Sequence, residues 1–158
     1  MYEGGVREPL IVWWPDVIKP GSVCTVPVTS PDFYPTILDI AGVPLIPDQH
    51  IDGISLLPLL KGAKDLDREA LYWHYPHYGN QGGTPGCSIR INEYKLIEFF
   101  EDQRLELYNL IEDIEEEHDL AEHMPEVAQS MHRKLVSWRE KLSVKIPLIN
   151  IEHSLLNP

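Results

Sequence analysis

At 158 residues the chain has the length of one ordinary domain, and 43% apolar with 24% charged residues is the balance of a globular protein. A net charge of -12 argues against nucleic acid as the main partner, because phosphate recognition wants clustered Lys and Arg. No apolar run approaches the ~20 residues of a membrane span, and the first residues lack the basic-then-apolar layout of a signal peptide. Neither a membrane partner nor an export address is therefore expected.

In chain order, Leu10-Ile11-Val12-Trp13-Trp14, stopped by Pro15, has the length and residue types of a buried strand. Lys19-Pro20-Gly21-Ser22 reads as a turn, and Val26-Pro27-Val28 as a brief second strand. Ser30-Pro31-Asp32 has the layout of a helix start: a capping Ser, Pro at the first position and an acid in the first turn. Phe33, Ile37, Leu38 and Ala41 share one face at helical spacing, and Gly42 supplies the stop. Pro35 makes the first turn irregular or marks where the helix proper begins. Residues 43–54 read as a loop, 55–62 as a short apolar helical turn or two, and 63–69 as a charged boundary.

The second half reads differently. Ala70-Leu71-Tyr72-Trp73 is a strand candidate, followed by a Gly/Pro-rich loop over 79–86. Ser88-Ile89-Arg90-Ile91 and Tyr94-Lys95-Leu96-Ile97-Glu98-Phe99-Phe100 flank a tight turn at Asn92-Glu93, the pattern of a hairpin. Arg104 to Leu110 alternates charged and apolar residues, as a half-exposed strand does. The acidic stretch 112–119 reads as a solvated loop without the glycine turn of an EF-hand. A helix then follows Pro125, with Val127, Met131, Leu135, Trp138 and Leu142 as one apolar stripe.

Three pieces result. Residues 1–62 hold one central-type strand and one helix, which cannot cover each other's apolar faces and belong to a larger α/β sheet. Residues 70–145 form an antiparallel sheet with one covering helix, a self-contained α+β unit. Residues 146–158 are a tail without a pattern. Cys24 and Cys87 are expected as two buried free thiols, with one disulfide as the alternative, and no His/Cys spacing matches a zinc site.

Four blocks in order, "YEGGVREPLIVWWPDVIKPG", "TSPDFYPTILDIAGVPL", "DGISLLPLLKG" and the stretch from "ALYWHYPHYGNQGG" to "MHRKLVSW", resemble the C-terminal part of arylsulfatase-type sulfatases. These belong to the alkaline-phosphatase-like superfamily, and the likeness runs from residue 2 to about residue 140. The resemblance implies an α/β fold of which this chain holds the C-terminal part. Residues 1–62 would close the large domain, and a four-stranded antiparallel sheet packed on a C-terminal helix would follow. It also implies a formylglycine nucleophile made within a Cys/Ser-x-Pro-x-Arg motif, a calcium ion held by Asp and Asn, and a sulfate-contacting lysine a few residues before the "YEGG" block.

None of this machinery stands in the 158 residues. Cys24 is followed by Thr25-Val26-Pro27, one place out of register, and Cys87 by Ser88-Ile89-Arg90 without a proline. No catalytic residue and no bound metal are therefore expected here, and the chain alone is expected to be inactive. Glu3, Arg7 and Glu8 match the family pattern and are read as shaping a turn and its ion pairs. Arg90 and Lys95 are read as pairing on the sheet surface.

The remaining candidates are His74 and His77, two histidines among four aromatics ahead of a flexible polar loop. Aromatic faces suit sugar C–H surfaces, and a histidine can donate to a sulfate oxygen. They are read as substrate contacts, the alternative being packing between subdomains. The function expected is hydrolysis of sulfate esters, of sulfated carbohydrates or aryl sulfates, by the intact enzyme. Its partners would be a sulfated small molecule or glycan and a missing N-terminal half. The alternatives are a non-catalytic binding or assembly module, or a phosphate or phosphonate ester hydrolase of the same superfamily.

Overall fold

The computed structural model of the chain describes residues 1–80 and 82–148. They fall into two units: Met1–Glu8 together with the chain from Glu69 onward, and Pro9–Arg68. The change of unit falls between Arg68 and Glu69. Residues 1–8, grouped by the sequence with the first piece, pack on the sheet instead. Of the tail, 149–158 lie outside the described residues.

The sheet unit contains four antiparallel strands in the order β1-β2-β3-β4: β1 Leu71–Tyr75, β2 Gly86–Ile91, β3 Tyr94–Phe99 and β4 Leu105–Asn109. Side chains alternate between the two faces of a strand, so the register sorts them into rows. Tyr72, Ile89, Leu96 and Leu107 lie opposite one another on one face, and Leu71, Arg90, Lys95 and Tyr108 on the other. The β2–β3 turn passes through Asn92 at φ 51, a left-handed conformation that Asn tolerates.

Helix α4, Pro125–Lys141, covers the first face. Pro at its first turn lacks only a donor that would have no partner there, and Arg139 and Lys141 complement the C-terminal end. Ala128, Met131 and Leu135 meet Cys87, Ile89, Leu96 and Leu107 in the core. Tyr72 stacks on Trp138, with centroids 4.7 Å apart and planes 2° from parallel. Burying Leu135 fully contributes about 1.5–3 kcal/mol. Leu142, the last member of the expected stripe, falls beyond the helix end and is exposed. The outer edge of β4 is covered. Asp119 Oδ1 accepts from the Leu107 amide at 2.9 Å, and the Leu120 amide donates to the Leu107 carbonyl at 2.8 Å. Ile97, Phe99, Tyr108 and Leu110 form a second cluster with Met1 against it.

The Pro9–Arg68 unit corrects several expectations. Neither Leu10–Trp14 nor Val26–Val28 is a strand, and Ile11 and Trp13 are 90% and 86% exposed. A strand forms only against a neighbour that takes up its backbone hydrogen bonds, and the described residues of this unit hold none. A 3₁₀ turn at Ser30–Asp32 leads into helix α2, Phe33–Ile40, as the Ser-Pro-Asp signal predicts, but the capping position is Thr29. The buried face of α2 is Pro35 and Thr36, not the face of Phe33 and Ile37, which stay exposed. Gly42 ends the helix at φ 66, with the Val43 amide donating to the Leu38 carbonyl at 2.9 Å. A short helix α3, Leu57–Leu60, follows.

Candidate functional site

The densest gathering of charge lies on the sheet face opposite α4. Lys95 is wholly buried there, with Nζ 2.9 Å from Glu3 Oε1 and 2.9 Å from Glu116 Oε1. Arg90 Nη1 and Arg7 Nη1 lie 3.7 and 3.6 Å from Glu3 Oε2, and the Glu3 amide donates to the Glu116 carboxylate. Burial pushes the Arg90 guanidinium below its ordinary range, against the pull of Glu3. Surface pairing of Lys95 is thus overturned: the one-turn helix α1, Glu3–Val6, and the loop around Glu116 close over it. Glu116, read as part of a solvated stretch, is buried for the same reason. Its neighbour Asp113 accepts from the Glu117 and His118 amides at 3.1 and 2.8 Å.

A second carboxylate fastens the same segment. Glu106 Oε2 accepts from Tyr2 Oη at 2.6 Å and Tyr108 Oη at 2.9 Å, while Arg104 pairs with Glu106 and lies 4.1 Å over the Phe99 ring. Desolvation raises both phenols above their usual range. The turn-shaping ion pairs expected of Glu3 and Arg7 are present, reinforced by the Arg7 amide donating to the Glu3 carbonyl at 2.9 Å. Sequence reasoning missed Lys95, Glu116 and Glu106 as partners of this segment. No local signal marked them: Lys95 and Glu106 alternate with apolar neighbours as solvent-facing strand residues do, and Glu116 stands in an acidic loop.

The two histidine candidates have different surroundings. His74 stands on the α4 face, in register with Cys87, with Nε2 3.0 Å from the Lys145 carbonyl and its ring centroid 5.7 Å from Phe100. His77 lies beyond the strand end, exposed, edge-on to Tyr75 at 5.5 Å. Nearby, Glu98 is gripped by Arg139, with contacts at 2.6 and 3.3 Å, fastening α4 to β3, and His132 Nε2 lies 3.3 Å from the same carboxylate.

A family model described as N-sulphoglucosamine sulphohydrolase, C-terminal, matches residues 1–141. The chain belongs to the sulfatases. A sulfatase of Formosa agariphila is 38% identical over 152 residues, covering 87% of this chain and 28% of that protein. A structure solved in complex with its substrate D-glucosamine-2-N,6-O-disulfate has a TM-score of 0.58 and 29% identity, over 69% of this chain and 23% of that one. Ps i-CgsB in complex with k-i-k-neocarrahexaose has a TM-score of 0.67 and 26% identity, over 79% and 27%. The chain thus spans about a quarter of the length of these relatives.

The formylglycine and calcium that the resemblance implies find no seat among the described residues of this sulfatase portion. No group of three or more His, Cys, Asp or Glu is arranged to hold a metal, and Asp113, Glu116 and Asp119 are engaged with backbone amides or Lys95. Both cysteines are free. Cys87 is buried as expected, but Cys24 is exposed, because the strand that would have covered it does not form. Desolvation pushes the Cys87 thiol up to about 12, so it is neither a nucleophile nor readily oxidised at neutral pH. Native protein treated with Ellman's reagent at pH 8 should therefore lose one thiol quickly and the second only on denaturation. Two fast thiols would contradict the burial of Cys87.

Proposed function

We propose that the intact protein hydrolyses sulfate esters of a sulfated carbohydrate or an aryl sulfate, and that this chain supplies its C-terminal sheet unit and not its nucleophile. The family match over residues 1–141 carries the reading. The sugar-bound relatives support a glycan substrate. Residues 9–62 are the closing piece of a larger α/β domain: Ile11, Trp13 and Ile37 leave apolar surface that an isolated globular unit would not keep. The 74–83 segment belongs to the rim of the substrate pocket. His77 is the exposed contact, and His74, tethered to Lys145, holds the segment at the strand end.

Purified 158-residue chain incubated with 4-nitrophenyl sulfate should release no nitrophenol above the buffer rate. The protein extended upstream to include a Cys/Ser-x-Pro-x-Arg motif should turn it over. Turnover by the short chain would sink the division of labour, and an extended protein that cleaves only phosphate esters would sink the sulfatase assignment. In the extended protein, His77→Ala should raise KM for a sulfated oligosaccharide roughly tenfold, the loss of one charge-assisted hydrogen bond.

A further inference from the structure

α1 is a turn that does not hold itself. It is four residues long, and two of them, Gly4 and Gly5, are the weakest helix formers apart from proline. A Cβ at either glycine would meet nothing within 4 Å, so packing around them adds no support. The shape is imposed by the residues at its start. Met1 packs on the second apolar cluster of the sheet, and the Tyr2 ring lies 6.3 Å from both Phe99 and Tyr108. Tyr2 Oη donates to Glu106, and Glu3 meets Lys95 and, at longer range, Arg90. The Glu3 amide donates to Glu116. Tyr2 and Glu3 are thus tied to β2, β3, β4 and the loop beyond. Apolar groups packed in place of a buried ion pair are often as stable or more so. What the charged bonds supply and apolar contacts do not is direction.

We infer that Lys95, Glu116 and Glu106 are positioning residues: they fix the junction Met1–Arg7, and through it the sheet unit's pocket wall relative to the nucleophile. This rests on the reading above, in which the nucleophile precedes residue 1 and residues 74–83 rim the pocket. The chain passes from one to the other at Met1, so whatever holds Tyr2 and Glu3 on the sheet sets the wall. Contacts remote from the reacting bond accelerate chemistry only where wall and nucleophile keep one geometry. A loose junction leaves an oligosaccharide bound and its sulfate misplaced. A small aryl sulfate, which does not need the wall, is unaffected.

The test uses the fourfold change Tyr2→Phe, Glu3→Gln, Lys95→Met and Glu116→Gln, which removes these bonds, leaves no carboxylate in the Lys95 site and keeps the ring at position 2. In the 158-residue chain, amide order parameters at Gly4 and Gly5 should fall from about 0.85 to below about 0.6 while those of Ile89 and Leu96 hold. In the protein extended upstream, kcat for sulfate release from a sulfated carrageenan or heparin hexasaccharide should fall at least about tenfold with KM within about twofold. Both constants for 4-nitrophenyl sulfate should stay within about twofold of the parent. A purely structural role would instead lower kcat for both substrates alike, by the fraction unfolded, and loss of a rim contact would raise KM. Equal loss on both substrates, a change confined to KM, no change, or order lost across β2 and β3 would each overturn the inference. So would an extended protein that cleaves the aryl ester and neither hexasaccharide. An extended protein inactive on every sulfate ester would sink the hydrolase reading, and the order parameters would still decide whether the cluster holds the junction.

Discussion

Lys95→Met is expected to cost the sheet unit about 3–5 kcal/mol, the range for removing one member of a buried ion pair. The side chain is wholly buried between Glu3 and Glu116, 2.9 Å from each. Taking the ammonium away leaves two desolvated carboxylates facing each other. Arg90 and Arg7 are both more than 3.5 Å from Glu3 and reach only one of the two. Met fills much of the stem volume, so the loss is electrostatic and not a cavity effect. Urea denaturation followed by the near-UV signal of the stacked Tyr72–Trp138 pair gives the number. The triple change Lys95→Met, Glu3→Gln and Glu116→Gln should recover more than half of it, because no uncompensated charge remains buried. A single-change loss below about 1 kcal/mol, the range of an exposed pair, would show that water reaches the cluster.

That cluster also marks where sequence reading stops. The sheet and its helix were legible, because a period of two in residues 88–110 and spacings of three and four in 127–138 are local signals of which face is buried. The family was legible through the order of four blocks. Lys95 was not: it alternates with Leu96 just as a solvent-facing lysine would, and its partners lie 92 positions earlier and in an acidic stretch that looks solvated. The converse error occurred at Leu10–Trp14. An apolar run has the composition of a strand, but a strand is a relation between two segments, and this one has no partner among the described residues. The same cause left Cys24 exposed and turned α2 about its axis relative to its apolar pattern, so that Thr36 is inside and Ile37 outside. At the candidate site, residue type singled out both histidines. It could not tell the one tied to a backbone carbonyl from the one left free.

With no sheet to organise it, the Pro9–Arg68 unit is held chiefly by one carboxylate, and Asp32→Ala is expected to undo it. Asp32 is completely buried and binds three separated stretches of chain. Its oxygens accept from the Thr29 amide at 2.7 Å, from the Ile54 amide at 2.9 Å and from both terminal nitrogens of Arg68, one at 3.1 Å. Thr36 extends the link: its hydroxyl donates to the Asp32 carbonyl and accepts from the Leu56 amide at 2.8 Å. Gly53 is needed at the same junction, since a Cβ there would lie 2.3 Å from the Pro31 carbonyl oxygen. Truncating Asp32 orphans the Ile54 amide and leaves a nearly buried guanidinium unpaired, at about 3–5 kcal/mol. Apolar burial cannot make up such a loss, because among the described residues of this unit the buried apolar side chains are Pro35 and Leu56 alone. Hydrogen exchange should show the Ile54 and Leu56 amides losing at least about a hundredfold in protection, which corresponds to 2.8 kcal/mol of local opening. Asp32→Asn keeps an acceptor for the Ile54 amide but not the charge for Arg68, and should fall between the two. Protection at Ile54 that survives Asp32→Ala would mean that something other than this carboxylate gathers the three stretches.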